Sequence, residues 1–313
     1  MIEISHLGKK FGDAEAVINL NLNLVPGEIL GFLGPNGAGK STTMKMLTGF
    51  MNPSSGHVKI FGHDVMSDRI EAQKLIGYLP EGAPAYEEMT TQSYLGFIAE
   101  VRGFSGLEKK KRVEEVIVKM SLDKVVHQKI ETLSKGFKRR VGLAQAIIHD
   151  PIVLILDEPT DGLDPNQKHQ VRSLIKSLSK EKIVVISTHI LEEVTAVCNR
   201  VIIISEGKLL SDCSPHELEK KSAFYGAVSI EFHVDVDLNA VSDALISLSE
   251  VDKVQVADGL LTVYPVATAK LYTVLYNFFH QNGMFESKKP TAMYLEKGKL
   301  DDVFRQITQG DAA

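Results

Sequence analysis

The sequence predicts a mixed α/β fold, in which a parallel sheet carries an antiparallel β layer and a helical insert, followed by a smaller α+β domain. Apolar residues alternate near the amino terminus, short purely apolar runs recur further along, and the pattern changes after Pro215. Alternation is typical of a half-buried strand, whereas continuous apolar runs are typical of parallel strands covered on both faces. We expect a first domain over residues 1–220 and a second over 221–313.

The antiparallel layer is predicted from the alternation of apolar and polar residues between Ile18 and Leu24. This run ends at the pair Pro26 and Gly27, which is typical of a turn. A strand with one buried face is therefore expected just before the first fully apolar strand.

Three apolar runs predict strands of the parallel sheet, namely Ile29 to Leu33, Ile152 to Leu156 and Ile183 to Ile186. Each is followed by polar or glycine-rich residues and a helical pattern, as in a sheet with helices on both faces. The charged stretch over about 87–150 shows helical spacing of its apolar residues between Val113 and Met120. We interpret this stretch as a helical insert.

The second domain is predicted from a new order of elements that starts near Ser229: strand, helix, hairpin, helix, strand, helix. The hairpin is indicated by Asp258 and Gly259, a favoured two-residue turn between two apolar runs. The order β-α-β-β-α-β resembles a ferredoxin-like fold.

Composition and charge narrow the range of functions. The longest apolar runs, such as Val201 to Ile204, are far shorter than the roughly 18–20 residues needed to span a bilayer. The amino terminus shows no secretory signal, so we expect a cytoplasmic protein. A net charge of −5 gives no overall attraction to nucleic acid or anionic lipid. Contact with a membrane would therefore need a protein partner.

A glycine-rich loop between the first apolar strand and a helical pattern matches G-x-x-x-x-G-K-[ST]. Glycines let backbone N–H groups turn towards phosphate oxygens, and the following helix adds the positive end of its dipole. Lys40 is expected to reach the β and γ phosphates, and Ser41 is expected to hold Mg²⁺. The candidate nucleotide-binding residues of this loop are Gly34, Pro35, Asn36, Gly37, Ala38, Gly39, Lys40, Ser41 and Thr42.

Two acidic residues, Asp157 and Glu158, follow the second apolar strand, at the sheet edge where open α/β folds bind ligands. Asp157 is expected to coordinate Mg²⁺. Glu158 is expected to polarise the attacking water as a general base. The alternative, a solvated acidic turn, is less favoured because the glycine-rich loop upstream converges on the same nucleotide.

Five motifs follow one another along the chain, namely Gly34–Ser41, Leu133–Gly136, Leu156–Thr160, Gly162–Asp164 and Ser187–His189. In this order they resemble the ATP-binding cassette (ABC) ATPases, and the resemblance covers residues 1 to about 220. The resemblance implies a P-loop NTPase fold with a RecA-like core, and ATP with Mg²⁺ as cofactors.

The resemblance also implies that two cassettes, identical or paralogous, dimerise around ATP. Ser134 and Gly136 would then act on the nucleotide of the opposite cassette, while Asp164 would lie at the dimer seam. An N-cap serine is the plainer interpretation of Ser134, and both can hold.

Further roles are implied within one cassette. His189 would contact the γ-phosphate and link it to Glu158, and Thr42 would lie beside the α-phosphate. Phe11 would stack on adenine, although a core phenylalanine is nearly as well supported.

The sequence departs from the common family pattern at two places. Glu81 stands where a glutamine usually senses Mg²⁺, and the signature contains Lys135 and Phe137 instead of the LSGGQ form. With the carboxy-terminal run from Leu300 to Phe304, these changes resemble the branch that serves ABC-2 exporter permeases, including gliding-motility and multidrug-export relatives. Glu81 is retained as a candidate metal-site residue, since a carboxylate can hold a metal-bound water.

A basic cluster follows the signature, and we expect it to make phosphate or acidic contacts across the dimer, with nucleic-acid binding less favoured. Its members are Lys135, Lys138, Arg139 and Arg140.

The resulting hypothesis is an ATPase subunit that drives a separate polytopic permease from the inner face of the cell membrane. Two alternatives remain: an importer ATPase with a ligand-sensing tail, and a soluble ABC ATPase that does not take part in transport. Nucleic acid is an unlikely partner, because the tail lacks an aromatic RNA-binding signature.

Overall fold

The computed structural model describes residues 1–82, 86–233, 236–257, 259–266, 270–281 and 289–309. The chain divides into two compact units, Met1–Pro215 and His216–Ala313. The elements of the first unit are β1 (Ile2–Phe11), β2 (Ala14–Leu24), β3 (Ile29–Leu33), α1 (Lys40–Leu47), β4 (Ser55–Ile60), β5 (His63–Asp64), α2 (Arg69–Lys74), β6 (Ile76–Leu79), α3 (Thr91–Val101), α4 (Gly106–Lys119), α5 (Lys135–Ile147), β7 (Val153–Asp157), α6 (Pro165–Leu178), β8 (Ile183–Thr188), α7 (Leu191–Val197), β9 (Arg200–Ser205) and β10 (Lys208–Cys213).

Two sheets build the first unit. The antiparallel sheet has the strand order β2-β1-β4-β5, and the larger sheet has the order β10-β9-β3-β8-β7-β6. In the larger sheet β9, β3, β8, β7 and β6 run parallel, while β10 pairs antiparallel with β9 at one edge. The predicted combination of a parallel sheet and an antiparallel layer is confirmed.

The central strands are buried on both faces, which explains their continuous apolar sequences. Val153 and Ile155 of β7 pack with the antiparallel sheet and α1. Leu154 and Leu156 point the other way and pack with α3, α4, α5 and α6. The sheet therefore separates two hydrophobic cores.

The stretch interpreted as a helical insert contains α3, α4 and α5, with short 3₁₀ turns at Asp123–Val125 and Ile130–Thr132. Leu95 and Ala99 of α3 are buried against Val116 and Ile117 of α4, on the apolar stripe that the helical spacing predicted. Thr90 caps α3 by accepting a hydrogen bond from the N–H of Ser93 at 3.2 Å.

The second unit has the predicted β-α-β-β-α-β order. Its antiparallel sheet has the order β12-β13-β11-β14, and Val228, Ile230, Leu261 and Val263 pack against α9 and α10. This is the ferredoxin-like arrangement. Of the predicted turn pair, Asp258 lies outside the described residues. The remaining elements along the chain are α8 (Pro215–Glu219), β11 (Val228–Glu231), α9 (Leu238–Ile246), β12 (Val251–Ala257), β13 (Leu260–Pro265), α10 (Leu271–Gln281), β14 (Ala292–Leu295) and α11 (Leu300–Gln309).

Among the helices in the described part of the chain, none combines the length and the apolar character required to cross a membrane.

Candidate active site

The candidate residues of the first unit follow strands that are neighbours in the sheet. β8 lies between β3 and β7, and all three run parallel, so their carboxyl ends meet at one edge. The glycine-rich loop follows β3, Glu158 follows β7, and His189 follows β8. Open α/β sheets bind ligands at this edge.

The glycine-rich loop is held in a conformation that depends on its glycines. Gly37 and Gly39 have φ of 82° and 103°, in the region that L side chains avoid. A Cβ atom at Gly39 would also overlap the carbonyl oxygen of Ala16. The N–H of Thr43 donates to the carbonyl of Gly39 at 2.9 Å and so begins α1 directly behind the loop.

Lys40 is the first residue of α1 and is only 7% exposed. Its ammonium group donates to the carbonyl oxygens of Gly34 at 2.7 Å and Pro35 at 3.1 Å. Burial lowers the pKa of Lys40, and the negative charges of Glu158, Asp157 and Glu81 act in the opposite direction. The loop thus wraps around its own lysine, which places a cation at the start of α1.

A cavity of about 320 Å³ opens over this loop. Glu81 and Glu158 line it from outside the loop, and Ala16 lines it from β2. The loop residues in its wall are Asn36, Gly37, Gly39, Lys40, Ser41 and Thr42. Sequence reasoning had not found Ala16, which carries no chemical signal.

Asp157 is buried, and its carboxylate accepts hydrogen bonds from the hydroxyls of Ser41, at 3.3 Å, and of Ser187. A hydroxyl and a carboxylate oxygen are ligands that suit Mg²⁺. The described residues contain no group of three or more His, Cys, Asp or Glu that could hold a metal alone.

Glu158 and His189 are in contact, as the resemblance implied. The Nδ1 atom of His189 lies 3.0 Å from Oε1 of Glu158 and 3.1 Å from Oε2. Burial raises the pKa of Glu158, while the hydrogen bond and charge of His189 and the charge of Lys40 lower it. The N–H of Glu158 donates to the carbonyl of Ser187 at 3.1 Å, which fixes the residue against the end of β8.

A buried carboxylate on α7 connects the segment after β7 to the end of β8. Glu193 accepts hydrogen bonds from the hydroxyls of Thr160 and, at 2.8 Å, of Thr188. Sequence reasoning missed this residue. The signal available was a glutamate one helical turn beyond His189, but its burial depends on the tertiary fold.

Three residues expected to act on the nucleotide of the opposite cassette, or at the dimer seam, lie at the starts of α5 and α6. They are Ser134, Gly136 and Asp164, and they are not among the residues that line the cavity. Ser134 is the N-cap of α5 and accepts from the N–H of Phe137 at 3.4 Å, so the plainer interpretation of this residue agrees with the structure. Asp164 caps α6 in the same way by accepting from the N–H of Gln167 at 2.9 Å. A Cβ at Gly136 would overlap the side chain of Gln167, so the two helix starts lie close together.

Phe11 ends β1 and is 49% exposed, which excludes the interpretation as a core residue. It is not among the residues in the cavity wall, and the ammonium group of Lys9 lies 5.1 Å from its ring centroid.

Arg139 corrects our interpretation of the basic cluster. Instead of forming part of a charged surface, its side chain is 5% exposed and donates to backbone carbonyls of its own chain. Arg140, its neighbour, contacts the carbonyl of Met120 at 3.4 Å and the side chain of Gln170.

Comparisons with known proteins identify the family of the chain. Residues 17–161 match the family described as "ABC transporter". The chain is 36% identical over 313 residues to the bacitracin transport ATP-binding protein BcrA of Bacillus licheniformis, covering 99% of this chain and 98% of the relative. It is 31% identical over 310 residues to the Nod factor export ATP-binding protein I of Cupriavidus metallidurans, covering 98% and 97%.

Among solved structures, the post-hydrolysis dimer of the ATP-binding cassette MJ0796 with ADP and Pi has a TM-score of 0.64 and 26% identity, covering 69% of this chain and 99% of that one. The predicted P-loop NTPase fold is confirmed by this likeness. The chain therefore belongs to the ATP-binding proteins of ABC transporters and is an ATPase.

Proposed function

We propose that this chain is the ATPase subunit of an exporter of the ABC-2 type. It would work at the inner face of the cell membrane on a separate polytopic permease. The proposal is supported by the two relatives above, which match nearly the whole chain, including the second unit. One of them is named for the export of Nod factor.

Within one cassette, the cavity over the glycine-rich loop would take the phosphates of ATP. Lys40 and the loop N–H groups bind the phosphate oxygens, and Thr42 lies beside the α-phosphate. Ser41 and Asp157 would hold Mg²⁺, which would neutralise phosphate charge, and Glu81 in the cavity wall would bind a water of its shell. Phe11, being exposed, is free to stack on adenine.

Glu158 is the general base in this proposal. Its carboxylate lies in the wall of the phosphate cavity, and its contact with His189 holds it at the end of β7. Deprotonating the attacking water is the step that this carboxylate supplies. His189 orients Glu158 and contacts the γ-phosphate.

The active unit is a dimer of cassettes, with either a second copy or a paralogue. Ser134, Gly136 and Asp164 are functional candidates outside the cavity of their own chain, at the starts of α5 and α6. The N-terminus of α5 favours an anion. These residues therefore serve the nucleotide of the partner cassette.

The permease would dock in a groove of about 800 Å³ between β6, α2 and α3. Phe50, Ile70 and Val101 in its wall are 75%, 67% and 66% exposed. Exposed apolar surface of this kind marks interaction sites. The groove also contains Tyr78 of β6, a strand that ends two residues before Glu81, so docking and the nucleotide cavity share one segment.

The observation that carries the proposal is the contact of His189 with Glu158, a residue of the cavity wall, and Glu158→Gln tests it. We expect hydrolysis to fall by about 10²–10⁴-fold. ATP binding should persist, and a closed dimer should accumulate in size-exclusion chromatography.

A tagged Glu158→Gln chain, extracted from membranes in detergent with Mg·ATP, should co-purify a polytopic membrane protein.

Glu192→Gln is the matched control, because Glu192 is an exposed carboxylate on α7. This variant should turn over normally and should not accumulate a dimer. Normal turnover of Glu158→Gln would reject the base role. A trapped dimer without any membrane protein would favour a soluble ATPase, and inhibition by a small molecule bound to the second unit would favour an importer with a sensing tail.

A further inference from the structure

Arg139 is a buried arginine on the face of α5 that packs into the first unit. Gly136, Arg139 and Leu143 recur at helical spacing and are all buried. A buried charge is strongly unfavourable unless its donors find acceptors. The position of Arg139 therefore depends on the groups that surround its guanidinium.

Five backbone carbonyl oxygens surround it, and they come from two segments. Nε donates to the carbonyl of Pro159 at 3.2 Å, and Nη2 donates to those of Asp157 and Glu158. Nη1 donates to the carbonyl of Pro80 at 3.1 Å and to that of Gly82. A guanidinium has five N–H donors in a rigid plane, so one side chain can serve all five acceptors.

The first segment contains Glu158, whose φ of 50° is uncommon for a residue with a side chain. Successive carbonyls of a strand point in opposite directions, so those of Asp157 and Glu158 can meet one nitrogen only where the strand pattern breaks. Two contacts fix the backbone of Glu158 at this break. Arg139 donates to its carbonyl, and the hydroxyl of Ser187 accepts from its N–H.

The second segment contains Glu81, since Pro80 and Gly82 are its two neighbours. Glu81 and Glu158 both line the phosphate cavity. One rigid group thus bridges the two backbone segments that carry these carboxylates. It extends from α5, the helix that begins immediately after Ser134.

We propose that Arg139 is a positioning residue, which sets Glu158 and the Glu81 segment against the nucleotide and ties both to the start of α5. The inference rests on the proposed role of Glu158 as base. Arg139 does not touch the phosphates in this proposal, because its donors are occupied by carbonyls.

Arg139→Lys tests the inference in the full-length chain. Lysine keeps the charge but has three donors, so at least two carbonyls lose their partner. We expect kcat for ATP hydrolysis to fall by about 10–100-fold with the Kd for ATP within about twofold, because the glycine-rich loop and Lys40 are untouched. Amide hydrogen exchange should rise at Glu81, Gly82, Asp157 and Glu158 and stay unchanged in β8.

The matched control is Arg200→Lys. Arg200 also makes several hydrogen bonds, to both carboxylate oxygens of Asp212 and to the carbonyl of Asn23 at 2.8 Å, but none to the nucleotide segments. This variant should lose thermal stability without losing kcat. Arg139→Gln, which is neutral and has two donors, is the second variant if Arg139→Lys does not fold.

A double variant separates positioning from general destabilisation. If Arg139 acts through Glu158, then Arg139→Lys should remove little further activity in the Glu158→Gln background. Additive losses, or a wild-type kcat for Arg139→Lys while Glu158→Gln is inactive, would overturn the inference. Normal turnover of Glu158→Gln would instead overturn the proposed base, and the positioning role would fall with it.

Discussion

His149, in the turn that follows α5, is expected to make the protein less stable in mild acid. Its Nε2 atom lies 3.0 Å from the carbonyl oxygen of Ile76, so Nε2 carries the proton of the neutral ring. Nδ1 is buried and has no hydrogen-bond partner in the described part of the chain. Protonation would therefore place a new N–H donor, and a charge, where nothing accepts it.

The pKa of His149 gives the magnitude. Burial first, and then the charge of Arg102, lower it from 6.5 to about 4, with a smaller lowering by Lys182. The hydrogen bond to Ile76 and the charge of Asp150 act in the opposite direction. Between these two pKa values the unfolded chain binds more protons than the folded one, so the free energy of unfolding falls as the pH falls from 6.5 towards 4. At about 1.4 kcal/mol per pH unit, the loss is about 2 kcal/mol at pH 5.

The assay compares the wild type with His149→Gln by urea unfolding, followed by circular dichroism at pH 7.5 and pH 5. Gln can still donate to the carbonyl of Ile76 but does not titrate. The wild type should lose about 2 kcal/mol more than the variant between the two pH values. His169→Gln, at an exposed position on α6, should lose as much as the wild type.

Parallel pH dependence in the wild type and in His149→Gln would refute the reasoning. It would mean that the ring accepts a proton in the folded state without penalty. A steeper loss in His149→Gln would refute it as well, because the sign of the linkage would be reversed.

Two further predictions concern the glycine-rich loop and the sheet. Lys40→Ala should weaken ATP binding at least tenfold in calorimetry, because a cation about 4 Å from a phosphate contributes several kcal/mol. Lys45→Ala, on the same helix, should leave ATP binding unchanged. Equal ATP affinities for Lys40→Ala and the wild type would show that Lys40 does not bind the nucleotide. Gly77→Ala should lower the free energy of unfolding by about 1–3 kcal/mol in urea titration, because its Cβ would overlap the carbonyl of Ala146. Gly96→Ala in α3 is the control, because a Cβ there meets nothing within 4 Å, and it should leave the free energy of unfolding unchanged or raise it. If Gly96→Ala lowered the free energy of unfolding as much as Gly77→Ala, the packing argument would be wrong.

The glycine-rich loop could be predicted from sequence because its function resides in the backbone. Glycine is the residue that adopts its positive φ values without strain, so the spacing of the glycines in the sequence indicates the backbone conformation of the loop. The acidic pair at the end of β7 was predictable for a related reason, since the apolar sequence of a buried strand indicates where its carboxyl end lies. Local signals of this kind also gave the element order of the second unit.

Arg139 and Glu193 could not be predicted in the same way. Both are charged residues on helices, and such residues are usually solvated. Arg139 becomes buried only because α5 meets the segments around Glu81 and Glu158, which are distant in sequence. Its helical register with Gly136 and Leu143 was the one signal available, and the neighbouring lysines obscured it.

The strand order also has a consequence for synthesis of the chain. β3, which positions the glycine-rich loop, pairs with β8 and β9, the strands that begin at Ile183 and Arg200. A nascent chain that ends before Ile183 offers β3 neither neighbour, so its edges stay open while most of the first unit is being made. The ability to hold nucleotide should therefore arise late in the synthesis of the first unit, and ATP is a natural ligand for reporting when this unit has finished folding on the ribosome.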